Sequence, residues 1–321
     1  MKTRFGTLGR TCLTLVPALA GLAGLTAGSA GAQPPECDRA CLSGLMDRYL
    51  EAVLAFDGMA LPPDVAELPW AARVRFTEND VGLMIGDGLW GTATAIGEGY
   101  TIADPATGNV LWFGIVEEHG QPAYLALRLK AEGTAIAEVE AVVGREGTPA
   151  PFAPTAGFAV DPAFSRTVPQ AERLPRARLE ALVEGYYSSM QLNDGTVQTE
   201  IADDCVRLTN GFSTTHGPGV PATGCREQLE IGWYRHVDRV RARRIPIVDE
   251  ARGVVAAIAL LDHAARSVEY QTLDGVARNI SVEYPNTHGV LELFKIEDGK
   301  ISRIEGVSSF QPYLMPTQWV P

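Results

Sequence analysis

Histidine and cysteine are scarce in this 321-residue chain, five of each, and aromatic residues make up 7% of it. Positive charge is in deficit: 27 Lys and Arg face 39 Asp and Glu, a net charge of −12. Nucleic-acid affinity rests largely on cationic contact with phosphates and release of counterions, so this balance argues against a nucleic-acid partner. It argues equally against an anionic membrane surface. There is no Gly-x-Ser-x-Gly elbow, no Walker loop, no dinucleotide fingerprint after a strand and no His-Glu-x-x-His pair, which disfavours common hydrolase, nucleotide-binding and zinc-peptidase chemistries. The cysteines are scattered without paired Cys-x-x-Cys knuckles, so a zinc site is disfavoured as well. Nothing in the residue set calls for a cofactor.

The only long apolar run is N-terminal, Cys12 to Ala27, preceded by Lys2, Arg4 and Arg10 and followed by Ala30-Gly31-Ala32. This three-part pattern predicts a cleavable secretory signal over residues 1–32 and a periplasmic or secreted protein beginning at Gln33. Loss of those three cations takes the charge from −12 to −15. The signal also removes Cys12, leaving Cys37, Cys41, Cys205 and Cys225. An even count in an exported chain favours disulfides. The favoured pairs are Cys37–Cys41 and Cys205–Cys225; the first needs a frayed first helical turn. The alternative joins the N-terminal arm to the second half.

The length predicts about two domains, and the chain nearly repeats itself. Val74-Arg75-Phe76-Thr77-Glu78-Asn79 returns as Val206-Arg207-Leu208-Thr209-Asn210-Gly211. Helical spacing is read over Asp38–Phe56 and Leu174–Met190, and also over Cys225–His236, with a helix or turn at Trp90–Ile96. Strand alternation is read at Val74–Glu78, Val110–Glu117, Ala123–Ala131, Ile136–Gly144, Val206–Thr209, Arg243–Asp249, Val254–His263, Val290–Ile296 and Lys300–Ser309. Leu61-Pro62-Pro63 opens a loop, and Thr272–Asn279 is read as a loop. The expected division is a first domain over 33–146, a Pro/Ala/Gly-rich linker or strap over 147–170, and a second domain over 171–321. The fold class is α+β. Each half is a curved antiparallel sheet wrapped on a long helix, a cone with its pocket between sheet and helix.

This order resembles the nuclear transport factor 2-like superfamily, which includes ketosteroid isomerase, scytalone dehydratase, limonene epoxide hydrolase and SnoaL-like cyclases. A closer resemblance is to exported fungal and bacterial tandem proteins filed as a domain of unknown function. It rests on Cys37-Asp38-Arg39-Ala40-Cys41, on Arg75–Asn79, on the strand pair ending at Asp262-His263, and on the tail Gln311-Pro312-Tyr313-Leu314-Met315-Pro316-Thr317-Gln318-Trp319. Leu314 departs from the glycine expected after Tyr313. Some proteins similar to this group cleave lignin-type β-aryl ethers without cofactors.

The candidate catalytic residues are His263, Asp262, His216, Arg243 and Tyr234. Imidazole titrates near neutrality and suits general acid or base work. Adjacent strand residues face opposite ways, so only one of Asp262 and His263 can enter a pocket. His216 lies in a Gly- and Thr-rich loop, where ligand contacts are common. Arg243 or Tyr234 can stabilise a departing phenolate. Tyr187, Trp233 and His236 are candidate substrate-binding residues, and Glu117 is an alternative acid or base in the first half. Matching the repeats sets Glu117-Glu118 opposite Asp262-His263, which points to the second half as the active copy. The predicted partner is a small aromatic or apolar substrate, with a homodimer left open. Three functions remain: β-aryl ether cleavage through an epoxide, an isomerase or dehydratase working through an enolate, and non-catalytic ligand binding.

Overall fold

A computed structural model describes residues 37–56, 68–216, 223–280 and 282–319. The expected signal segment 1–32 and the Leu61–Pro63 loop lie outside the described residues. Helix α1 (Arg39–Ala55) starts where the Asp38 carboxylate accepts the Cys41 amide at 2.9 Å, satisfying a donor that every helix start leaves open. Leu42, Leu45, Met46, Tyr49, Leu50 and Val53 form its buried stripe. Each such side chain, fully buried, contributes about 1.5–3 kcal/mol.

The chain continues through β1 (Trp70–Glu78), β2 (Val81–Gly82), α2 (Leu89–Thr92), β3 (Ala93–Asp104), β4 (Asn109–Glu118), β5 (Gln121–Glu132) and β6 (Ala135–Arg145). These strands make a six-stranded sheet in the order β2-β1-β6-β5-β4-β3. The second stretch runs α3 (Arg176–Leu192), β7 (Ile201–Thr209), β8 (Phe212–Ser213), α4 (Cys225–Glu230), β9 (Arg239–Asp249), β10 (Val254–His263), β11 (Glu269–Gln271), β12 (Ala277–Asn279), β13 (Asn286–Glu297) and β14 (Lys300–Pro312). Its six-stranded sheet has the order β8-β7-β14-β13-β10-β9, while β11 and β12 form a separate hairpin. In each sheet one pair is parallel, β1 with β6 and β7 with β14, and the rest are antiparallel.

Three apolar clusters order these layers. One joins α1 to the inner face of the first sheet, and another joins α3 to the inner face of the second. The third lies between the outer faces of the two sheets. Strand β10 shows the period of two that permits this: Val255, Ala257, Ala259 and Leu261 join the α3 cluster, while Val254, Ala256 and Ile258 join the inter-sheet cluster. Both sheets belong to one compact unit, residues 34–321.

Several sequence expectations are corrected. The expected helix or turn at Trp90–Ile96 is helical only to Thr92, and β3 takes over at Ala93. The helix expected to reach His236 stops at Glu230, and Gly232 follows with φ 65, a left-handed conformation that suits glycine at a helix end. Thr272–Asn279 is part of the β11–β12 hairpin rather than an open loop.

The repeated block is offset by one residue from its letter-by-letter match. Asn79 donates its backbone amide to Ala141 and clamps Val143, whose amide it accepts at 2.8 Å. Asn210 does the same with Gly306 and Ser308, at 2.9 Å. Asn79 and Asn210 are therefore equivalent, with left-handed φ values of 48 and 45, a conformation asparagine tolerates. Counting back, Phe76 corresponds to Arg207 and Arg75 to Val206. A slip of one residue turns every side chain to the other face: Phe76 joins the first core, and Arg75 lies over the Trp319 ring at 5.2 Å.

Residues 147–170 form a strap over the inter-sheet cluster. Phe164 is fully buried there, Phe152 and Phe158 pack edge-on to Tyr124, and Ala153 donates to the Asn210 carbonyl. The tail after β14 crosses to the first sheet, where Thr317 donates to Asp80 at 2.9 Å and Trp319 is contacted by Arg75, Arg128 and Arg244. Leu314 takes φ 60, the geometry for which glycine was expected. Both favoured disulfides form, and the pairing of the N-terminal arm to the second half does not. Cys37 precedes the cap Asp38, so it is free of helical geometry and reaches Cys41 with Cα atoms 5.2 Å apart. Among the described residues no helix is long and apolar enough to cross a membrane.

Candidate functional site

The second sheet and α3 enclose a cavity of about 450 Å³. Its walls come from alternate residues of several strands: Arg207 and Thr209 of β7, Leu261 and His263 of β10, His288, Val290 and Glu292 of β13, and Phe310 of β14. Tyr186 and Met190 of α3 contribute, and Trp233, Tyr234 and His236 close it from the segment after α4. The first sheet differs at matching ladder positions. Where β10 has Ala257 and β13 has Glu292, β4 has Trp112 and β5 has Leu127. Trp112 fills its core together with Tyr49, Trp70 and Trp90, and the Trp90 indole donates to the Tyr49 hydroxyl at 2.7 Å.

At one side of the cavity Arg207 gathers hydroxyls and an amide. It donates to the Tyr186 hydroxyl at 2.9 Å, to Thr214 at 2.7 Å, to Gln228 at 2.6 Å and to Tyr234. The cluster is fixed from behind, since Gln228 donates to the Thr214 carbonyl and the Arg207 amide donates to Thr215. Burial raises the Tyr186 hydroxyl to about 12 against the opposing pull of Arg207. It therefore stays protonated and can donate. The Cys205–Cys225 disulfide ties β7 to α4 and so holds Arg207 near Gln228.

Glu292 is the buried carboxyl of the site. The Tyr187 hydroxyl donates to it at 2.7 Å, and burial raises its pKa against the lowering effect of that bond and of Arg207. Tyr187 itself is pushed far up by burial and by Glu292.

Three imidazoles share the cavity. His236 and His263 have ring centroids 4.9 Å apart, and His288 stacks on Phe310 at 4.6 Å. Burial lowers each from 6.5 to about 4, assisted by the neighbouring imidazoles, so all three are neutral at pH 7. Among the described residues, Nε2 of His263 and Nε2 of His288 have no hydrogen-bond partner. Buried polar atoms normally find one, so orphans at a cavity wall mark where a ligand or water is received. An adjoining cavity of about 230 Å³ shares His236, His263 and Ile280 and is lined also by Arg235, Asp238 and Arg266.

The structure thus brings together His263, Tyr234, Trp233 and His236 and leaves four other candidates aside. Asp262 points to the opposite sheet face, fully buried, bonded to Arg241 at 2.8 Å and to Thr287 at 2.7 Å. Arg243 reaches back to α3, bonding Ser188 at 3.0 Å and Glu184 at 3.3 Å, because its place in β9 faces the helix outside the cavity. His216 is exposed, beyond Thr214 and Thr215, which carry the site contacts of that loop. Tyr187 lies beneath the wall and acts on the cavity through Glu292. In the first half, Glu118 binds Arg145 at 2.6 Å, and Glu117 precedes it in the same strand. Sequence reasoning passed over Arg207, Glu292 and His288. The signal for Glu292 was a lone charge within the apolar strand Val290–Phe294, and for Arg207 its spacing of two from the inward cysteine Cys205.

Residues 172–308 match a family described as a domain of unknown function (DUF8021). No curated protein matches the chain. Among solved structures, the chain is similar to an LEH-like epoxide hydrolase from M. tuberculosis, at 19% identity and a TM-score of 0.27, over 41% of this chain and 84% of that one. It is similar to a candidate polyketide cyclase from Xanthomonas campestris, at 18% identity and a TM-score of 0.28, over 41% and 90% of the respective chains. AusH from Aspergillus nidulans gives 13% identity and a TM-score of 0.28, over 42% and 86%.

Proposed function

We propose that the 450 Å³ cavity is the active site of an enzyme that works on a small, largely aromatic molecule by acid–base chemistry without a cofactor. The observation that supports it is the pairing of two unpartnered neutral imidazoles, His263 and His288, with the Arg207–Tyr186–Tyr234 donor cluster in one aromatic-walled space. A base and a preorganised donor set for developing negative charge are what such chemistry requires.

The specific reading is cleavage of a β-aryl ether. His263 or His288 takes the proton of the hydroxyl next to the ether carbon. The resulting alkoxide attacks that carbon, the bond to the aryl oxygen breaks with its electron pair, and an epoxide forms. The aryl oxide is received by the Arg207 cluster and takes up the proton. Water then opens the epoxide, so the net reaction consumes one water and yields a phenol and a triol-type product. Placing the alkoxide and the leaving group in a dry cavity supplies the intramolecular advantage. The two disulfides favour work outside a reducing compartment.

A second reading is carried by Glu292. A buried carboxyl with a raised pKa, held by Tyr187, is suited to moving a proton next to a ketone in an isomerase or dehydratase. Incubation with guaiacylglycerol β-guaiacyl ether in ¹⁸O-water distinguishes them. Guaiacol release with label in the triol alone supports ether cleavage, and absence of guaiacol removes it. Deuterium exchange into ketone substrates would then support the second reading. A His263→Ala variant that keeps ligand affinity and loses turnover supports catalysis, whereas affinity with no turnover in any protein leaves a binding protein.

A further inference from the structure

A separate cavity, of about 260 Å³, lies on the opposite face of the second sheet, beneath the strap. It is walled by Phe113 and Tyr124 of the first sheet, Phe158 of the strap, and Leu208 and Glu305 of the second. Leu208 and Glu305 are ladder partners, and neighbouring Arg207 and Thr209 face the other cavity, so the sheet separates the two spaces. Its volume is slightly below the usual range for ligand pockets and suits a single-ring molecule.

Glu305 is 7% exposed, and no cation pairs with it among the described residues. The nearby guanidinium of Arg303 is paired instead with Asp161 at 3.8 Å. Asp161 adds negative potential, and burial together with Asp161 lifts the Glu305 carboxyl to about 7. The Tyr100 hydroxyl is directed toward Glu305 without closing a hydrogen bond of ordinary geometry, and it too lacks a partner. Gly211 has no room for a side chain because Tyr124 lies against it, so the aromatic wall is fixed. Buried charges are ordinarily paired. Anions are repelled here by two carboxyl groups, and a neutral apolar guest leaves Glu305 unpaired.

We propose that this cavity binds a small aromatic primary ammonium, its charged head on Glu305 and its ring among Phe113, Tyr124 and Phe158. The aromatic faces add cation–π attraction to the ion pair. Because the bound cation favours ionised Glu305, binding below neutral pH releases a proton.

The test is calorimetric titration of the full chain with phenethylammonium, in two buffers of different ionisation enthalpy near pH 6. Saturable binding is expected, with a buffer-dependent heat that reports proton release. Glu305→Gln should weaken it at least tenfold and abolish the buffer dependence. Ala156→Trp, which narrows the cavity from the exposed strap, should weaken binding without touching the carboxyl. No binding at millimolar concentration, equal binding by Glu305→Gln, or equal binding of neutral 2-phenylethanol would each overturn the proposal. Glu305→Gln should leave turnover in the other cavity unchanged.

Discussion

Acidification should weaken this protein in a window set by three buried histidines. His236, His263 and His288 each fall from 6.5 to about 4 on folding. Between those values the unfolded chain binds more protons than the native one, so stability rises with pH there and is lost as pH falls through the native values. A shift of that size in one isolated histidine corresponds to about 3 kcal/mol. The three charges repel one another, so the set titrates as a unit and its full effect is smaller than the sum. Three carboxyls oppose it: Glu305 is raised to about 7, and burial raises Glu292 and Asp80 as well. Each binds a proton more readily in the native state, so its contribution is present at low pH and lost as pH rises. Near pH 5.5 the three histidines outweigh these carboxyls and leave the unfolded state ahead by about one proton, a slope of about 1 kcal/mol per pH unit. Urea unfolding followed by tryptophan fluorescence at intervals from about pH 4.5 to about pH 7 measures it. In His288→Gln one proton leaves the balance, and the slope should fall by about 1.4 kcal/mol per unit. Wild-type stability that is flat or falls with rising pH, or a variant curve parallel to wild type, would refute the assignment of neutral histidines.

Three other outcomes are expected. Replacing Cys205 and Cys225 together by serine opens a 20-residue loop and should cost about 3 kcal/mol in chemical denaturation; it should also weaken ligand binding in the main cavity, because β7 carries Arg207. Tyr187→Phe removes the donor to Glu292 and should cost about 1–3 kcal/mol, with the acid limb of any turnover profile assigned to Glu292 moving to higher pH. Leu314→Gly relieves a left-handed φ of 60 and should raise stability by about 1 kcal/mol in the same unfolding assay, the hydrogen bond from its backbone N–H to the Thr287 hydroxyl being retained.

The elements that could be read from sequence were those whose period shows locally. The α1 stripe, the α3 stripe, and the alternation of β4, β5, β6, β10, β13 and β14 all follow from residues a few positions apart. Strand β3 was missed because Ala93–Gly99 has little apolar alternation; its place is set by pairing with β4, which no local pattern reports. The candidate site was legible where rare residues marked it, as with His263, His236 and the Trp233-Tyr234 pair. Asp262 and Arg243 were misplaced because rarity and charge say nothing about which sheet face a residue takes. Arg207 was hidden by the repeat itself, since its letters match Arg75 whereas its ladder position matches Phe76.

That offset governs how positions in the two sheets correspond. Two strands of similar sequence can differ in the surroundings of each residue through register alone. An aromatic core position in one sheet, Phe76, then matches a cationic wall position in the other, Arg207, although the aligned letters record no such difference. Mutations transferred between the two sheets by letter would compare an exposed arginine with a buried one. Transferred by hydrogen-bond ladder, they compare positions with the same inside and outside. Register is thus a variable of its own in the difference between these two sheets.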